Sequence, residues 1–171
     1  MNAFIGEYKR YKRLLEQAVE QVSDEAFFKQ IDDQGNSIAV LIKHISGNLL
    51  SRFTDFLETD GEKSWRNREG EFHLTEETRT DLLTRWENAW CVLEKAIVEL
   101  SCEDMTREIT IRGVPFTVEE ALARSLAHFS YHVGQIIYMA RYFTDENWKY
   151  LTIPPGQSEA YNANPSKEKE E

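Results

Sequence analysis

Three of the chain's four histidines fall where one metal ion could be held between two helices. His128 and His132 sit in Ala127-His128-Phe129-Ser130-Tyr131-His132-Val133-Gly134-Gln135. A four-residue spacing puts both rings on one helical face, a turn apart. His44 lies far upstream in Leu41-Ile42-Lys43-His44-Ile45, on another periodic apolar stretch. Two ligands from one helix and a third from a neighbour leave a coordination position open for water or substrate. An isolated histidine pair reads as well as ordinary core or surface residues. The third histidine favours a metal, because polar rings on apolar faces need partners and one shared divalent ion satisfies all three. Neutral imidazoles leave the ion's double charge intact, so hydroxide, a thiolate or a carbonyl oxygen could fill the remaining positions. Zinc suits such a nitrogen site; nickel or iron also accepts imidazoles.

Other residues near these positions carry two readings each. Gln135, three residues after His132, could orient a ligand, but reads more simply as an ordinary helical glutamine. Arg66 and Arg68 stand in a charged segment and are candidates for binding an acidic cofactor, since a guanidinium grips carboxylate or phosphate through two bonds. The simpler reading pairs them with Glu62, Glu69 or Glu71. Arg124 lies one turn before His128. Tyr131, Tyr138 and His73 carry no assigned role. The segment 151–158 reads as a lid over the metal or as a tail on the flank.

These residues need helices to hold them. Apolar residues at steps of three and four predict helices over 3–22, from Ser37 to about Leu57, over 75–100 and from Thr117 to about Thr144. Ser37 and Thr75 are the expected caps of the second and third. Thr117 with Glu120 forms a capping box for the last. A long polar connection, 58–73, joins the second helix to the third. Alternation on either side of Arg112-Gly113 predicts a small β-hairpin, with Pro115 weakening its second arm. The expected fold is all-α, a helical bundle with a minor hairpin, spanning 1–164 as one domain with a charged tail over 165–171.

Composition narrows the function. With 20 basic and 30 acidic residues the net charge is −10, a poor match to nucleic acid, whose phosphates call for a basic face. The longest aliphatic run near the start, Ile38 to Ile42, is far short of the roughly 20 residues that span a bilayer. Charge interrupts the N-terminal apolar residues, so no signal peptide is expected and a cytoplasmic location follows. Cys91 and Cys102 lack CxxC spacing, and Cys91 is expected to be a buried thiol.

A histidine on the second helix, HxxxH on the last, and His-Val-Gly-Gln-Ile over 132–136 resemble the DinB-like superfamily, also called the YfiT-like metal-dependent hydrolases. The likeness runs through nearly the whole chain in helix order. Segments 60–72 and 151–158 resemble a subgroup of uncharacterised bacterial proteins rather than the superfamily's thiol transferases. The resemblance implies an up-down-down-up four-helix bundle, with a long crossover between helices two and three. It also implies a homodimer and a zinc or nickel ion on His44, His128 and His132. Relatives of this kind include bacillithiol transferases and a mycothiol-dependent isomerase, in which the metal holds a low-molecular-weight thiol as thiolate. The expectation is therefore a metal-dependent thiol S-transferase or hydrolase acting on a small molecule. A non-catalytic metal-binding bundle, or a stress-related binder of a small ligand, stands as the alternative.

Overall fold

Apolar periodicity becomes packing around one aromatic ring. In the computed structural model, residues 2–165 are described. The order is α1 (Asn2–Val19), α2 (Asp24–Phe28), α3 (Ile38–Phe53), α4 (Arg79–Val98), β1 (Glu108–Ile111), β2 (Val114–Thr117), α5 (Val118–Thr144) and α6 (Ser158–Ala163). The described chain is mostly helical, with a single two-stranded antiparallel sheet. α3 packs chiefly on α4 and α1 chiefly on α5, while α3 also meets α5. Phe129 of α5 stacks on Tyr8 of α1 and on Trp86 of α4, each at 5.8 Å. Tyr8 in turn meets the edge of Phe53 of α3 at 6.3 Å. The four rings are fully or almost fully buried, and each contributes about 1.5–3 kcal/mol by leaving water. This centre fixes the rotation of α5, and with it the direction of the neighbouring His128.

Several element ends differ from expectation. α1 ends at Val19, and Ser23 then caps the five-residue α2, whose turns are too few to leave a periodic signature. α3 stops at Phe53 rather than near Leu57. Asp55 there takes a left-handed backbone, φ +46°, which a continuing helix does not tolerate. α4 starts at Arg79 under Thr78, not under Thr75. Thr78 has an acid three residues on, so Asp81 closes a capping box, whereas Thr75 binds Glu77. Residues 151–157 form no helix, and the short α6 follows them. Cys91 is exposed, against the expected buried thiol, because it lies on the outward face of α4 beside the buried Trp90. The expected charged tail lies outside the described residues except for Pro165. Among the described residues, no helix is long and apolar enough to cross a membrane.

The hairpin forms as expected, with Arg112 and Gly113 at its tip both at positive φ (+57° and +73°). That pair of angles is the twist-matched two-residue turn. Pro115 pairs with Thr110 in the two-stranded sheet, where its missing N–H costs little. The tip is tied to the crossover by Asp60, whose carboxylate accepts the Arg112 and Gly113 N–H groups, each at 2.8 Å, and that of Glu62 at 2.7 Å. Those bonds outweigh desolvation and hold the Asp60 carboxyl well below the usual carboxylate range. The capping box of Thr117 and Glu120 then starts α5.

Candidate metal centre

α3 is the most enclosed of the long helices, buried along nearly its entire length. The crossover covers the face that carries His44, so even the polar residues there lie inside. His44 is 3% exposed, with its ring 4.8 Å from that of Phe72. Its Nδ1 lies 2.9 Å from Glu71 Oε2, and its Nε2 lies 3.3 Å from His128 Nε2. From α5, His132 places Nδ1 2.8 Å from Gln135 Oε1. That leaves His132 Nε2 buried without a hydrogen-bond partner. One nitrogen from each of the three rings lies within 4.8 Å of the other two.

This arrangement fits a divalent ion. Two nitrogens bound to zinc at 2.0–2.1 Å and a tetrahedral angle stand about 3.3–3.4 Å apart, which is the observed His44–His128 separation. The outer nitrogens of His44 and His132 are hydrogen-bonded to Glu71 and Gln135, and such partners fix the tautomer that turns the inner lone pair toward a metal. An orphaned buried nitrogen is costly unless something accepts its lone pair. Burial, reinforced by the charges of His132 and His44, pushes His128 down to about 3. Burial also lowers His132 to about 4, partly opposed by the Gln135 hydrogen bond. Both rings are therefore neutral at physiological pH, the form that coordinates metal.

Behind His44 stands a buried ion-pair network: the pairing of Arg66 with Glu71 and Glu62, and of Arg68 with Glu69, is the simpler reading the sequence offered, while the burial of Glu71 against His44 is not. Glu71 is 2% exposed and accepts from Arg66 Nε at 2.8 Å and Nη2 at 2.9 Å as well as facing His44. Burial raises the Glu71 pKa, but the His44 and Arg66 contacts outweigh it and keep the carboxyl below its ordinary value. Glu71 reaches this depth over Gly47, one turn after His44 on α3. A Cβ built on Gly47 would lie 2.1 Å from Glu71 Oε1 and 2.6 Å from its Cδ. The available signal was that glycine: a mid-helix Gly costs about 1 kcal/mol against Ala and calls for a packing reason. Of the two readings of Gln135, the structure favours the orienting one, since its Oε1 lies against His132 Nδ1. Its acceptance of a ring N–H is the role that sequence spacing could only suggest.

The remaining candidates separate clearly. The Arg66 side chain is 2% exposed and engaged by Glu71 and Glu62. Arg68 is half-exposed, pairs with Glu69 at 2.9 Å and covers the Phe72 ring at 5.2 Å. Arg124 lies over the Phe116 ring, and Tyr131 is exposed with its ring 4.0 Å from that of His132. All four line one cavity of about 520 Å³ together with the three histidines. His73 contributes its backbone carbonyl, which accepts from Lys43 at 2.7 Å, and is not among that lining. The segment 151–158 does not line the cavity either. Its Leu151, Thr152 and Ile153 border α1 near Arg10 and Leu14, which is the flank position and not a lid.

The model of a family described as a protein of unknown function, DUF1572, matches residues 1–157. The chain belongs to this family. No curated protein matches it. For this DUF1572 member the three histidines, close enough together to hold a divalent metal, are the feature from which chemistry can be argued.

Proposed function

We propose that the protein is a metal-dependent enzyme of the DinB-like kind. In this reading the long helices form an up-down-down-up bundle in a single domain. His44, His128 and His132 hold zinc or nickel, and a small-molecule substrate or thiol reaches the ion from the cavity. The single observation that carries it is the buried, unpartnered His132 Nε2 facing two other imidazoles. Bound there, the ion would supply a Lewis acid that makes a coordinated water or thiol acidic enough to act as a nucleophile near neutral pH. The reaction is then a thiol S-transfer of the bacillithiol type or a hydrolysis.

The chain's own residues have separable tasks. Glu71 and Gln135 hold the outer ring nitrogens so that the inner ones point to a common centre. Arg66 keeps Glu71 ionised and so has a positioning role rather than direct contact with a cofactor. Phe72 and Tyr131 wall the site and limit water. We further propose a cytoplasmic homodimer, in keeping with the superfamily likeness. A second reading, a metal that only braces helix packing, draws on the depth of the His44–Glu71–Arg66 network.

Metal analysis of tag-free protein tests the first requirement. Expected is close to one equivalent of zinc or nickel, lost in the triple substitution of His44, His128 and His132 by alanine. Less than about half an equivalent, with no rebinding on adding metal, refutes the reading. Cobalt-substituted protein separates enzyme from brace. A visible spectrum that shifts with added thiol supports an open position; an unresponsive spectrum supports the brace.

A further inference from the structure

The cavity at the histidines has a second chemical character. Of eleven arginines in the chain, five line it: Arg52, Arg66, Arg68, Arg112 and Arg124. Among the described residues no lysine, aspartate or glutamate is on that lining. This is a concentration of positive charge in a chain whose net charge is −10. The choice of arginine alone points to planar, two-pronged recognition of carboxylate or phosphate rather than a diffuse basic patch.

The five differ in what they have left to offer. Glu62 Oε2 takes Arg52 at 3.1 Å, Arg112 at 3.1 Å and Arg66 at 3.4 Å. Glu71 takes Arg66, and Glu69 takes Arg68. Four of the guanidiniums thus share three carboxylates, one of which, Glu69, is 83% exposed at its side chain and readily exchanged for a ligand, while Arg124 lies over the Phe116 ring. Arg52 and Arg66 are enclosed and hold the wall. Arg68, Arg112 and Arg124 keep exposed donors and come from three separate elements: the crossover, the hairpin tip and α5. The hairpin tip is held rigidly by Asp60, so Arg112 is presented from an anchored turn. Ser125 adds a buried hydroxyl on the same lining.

We infer that this cavity binds a small anionic molecule, its carboxylate or phosphate group held by Arg68, Arg112 and Arg124 and its other end directed at the three histidines. The inference deepens the metal-site reading by naming the class of substrate, but the anion contacts themselves do not require the ion.

The test is calorimetric titration of the full chain, metal-free and zinc-loaded, with succinate, with inorganic phosphate, and with neutral succinamide. Expected is binding of succinate or phosphate at least about tenfold tighter than of succinamide, and the two anions tell a carboxylate site from a phosphate site. Arg68→Gln and Arg124→Gln, both at exposed side chains, are each expected to weaken anion binding by about tenfold or more while leaving the melting temperature unchanged. Equal or absent binding of all three probes overturns the inference. So does undiminished anion binding in the triple variant Arg68→Gln, Arg112→Gln, Arg124→Gln. Zinc content is measured on the same samples. A chain that takes no zinc but prefers anions sinks the metal reading alone; a chain that takes zinc without preferring anions sinks this inference alone.

Discussion

Gly47→Ala sets helix propensity against tertiary packing. Replacing a mid-helix glycine by alanine normally stabilises a helix by about 1 kcal/mol. In this chain the new methyl would fall 2.1 Å from Glu71 Oε1, far inside contact distance. The carboxylate is the end of a flexible side chain, so in open solvent it would swing aside at little cost. It cannot do so freely here. Glu71 is buried and bonded to Arg66 twice and to His44 once, and Arg66 would be left inside with only Glu62 at 3.4 Å. Breaking a buried ion pair costs about 3–5 kcal/mol. Subtracting the propensity gain leaves a net loss of about 2–4 kcal/mol, a fall in melting temperature of about 4–16 °C for a chain of this size.

The assay is chemical and thermal denaturation in the presence of a chelator, so that metal affinity does not enter. Zinc affinity is then measured by competition with an indicator. Loss of the Glu71 contact to His44 should weaken it by about 10–100-fold. If Gly47→Ala is as stable as the parent or more so, and binds zinc equally well, the buried Glu71 arrangement is refuted. Gly134→Ala on α5 is the internal control. Nothing lies within 4 Å of a Cβ there, so it should stabilise by the propensity term alone.

The metal-free protein should lose stability on mild acidification. His128 and His132 have folded-state values of about 3 and about 4, below the ordinary imidazole, so the unfolded chain takes up protons first as pH falls. Their contribution is therefore lost progressively from about pH 6.5 downward until the folded rings also protonate. Imidazole NMR titration of metal-free protein checks the premise, and midpoints above about 5.5 for these two rings would refute it. Asp60→Asn should loosen the hairpin tip, because the amide keeps one accepting oxygen but presents N–H donors where the other carboxylate oxygen accepted a backbone N–H. Amide hydrogen exchange at Arg112 and Gly113 should accelerate by at least about tenfold; unchanged exchange would mean that the strand pairing alone holds the turn.

The sequence by itself determined the local order of this protein. A helix repeats every 3.6 residues, so the spacing of Phe129, Val133, Ile136 and Ala140 announced a buried face on α5, and the four-residue interval of His128 and His132 announced neighbouring rings. Alternation of apolar and polar residues on either side of Arg112-Gly113 announced the hairpin. Such signals are local, and they faded where elements were short, as in α2 and α6, or where a left-handed residue cut α3 early. Only the tertiary structure could decide what meets across the chain. Glu71 stands in a run of charged residues that offers Arg66 several acidic partners without saying which pair is buried, and the crossover folds Glu71 under α3, where Gly47 leaves room and Arg66 and His44 offset its desolvation cost. Likewise five arginines scattered from position 52 to position 124 carry no periodic signature, and they share a cavity only because the crossover, the hairpin and α5 enclose the same space. Periodicity records which face of an element leaves water; the partner that face finds depends on contacts between residues far apart in the chain, which no local pattern encodes.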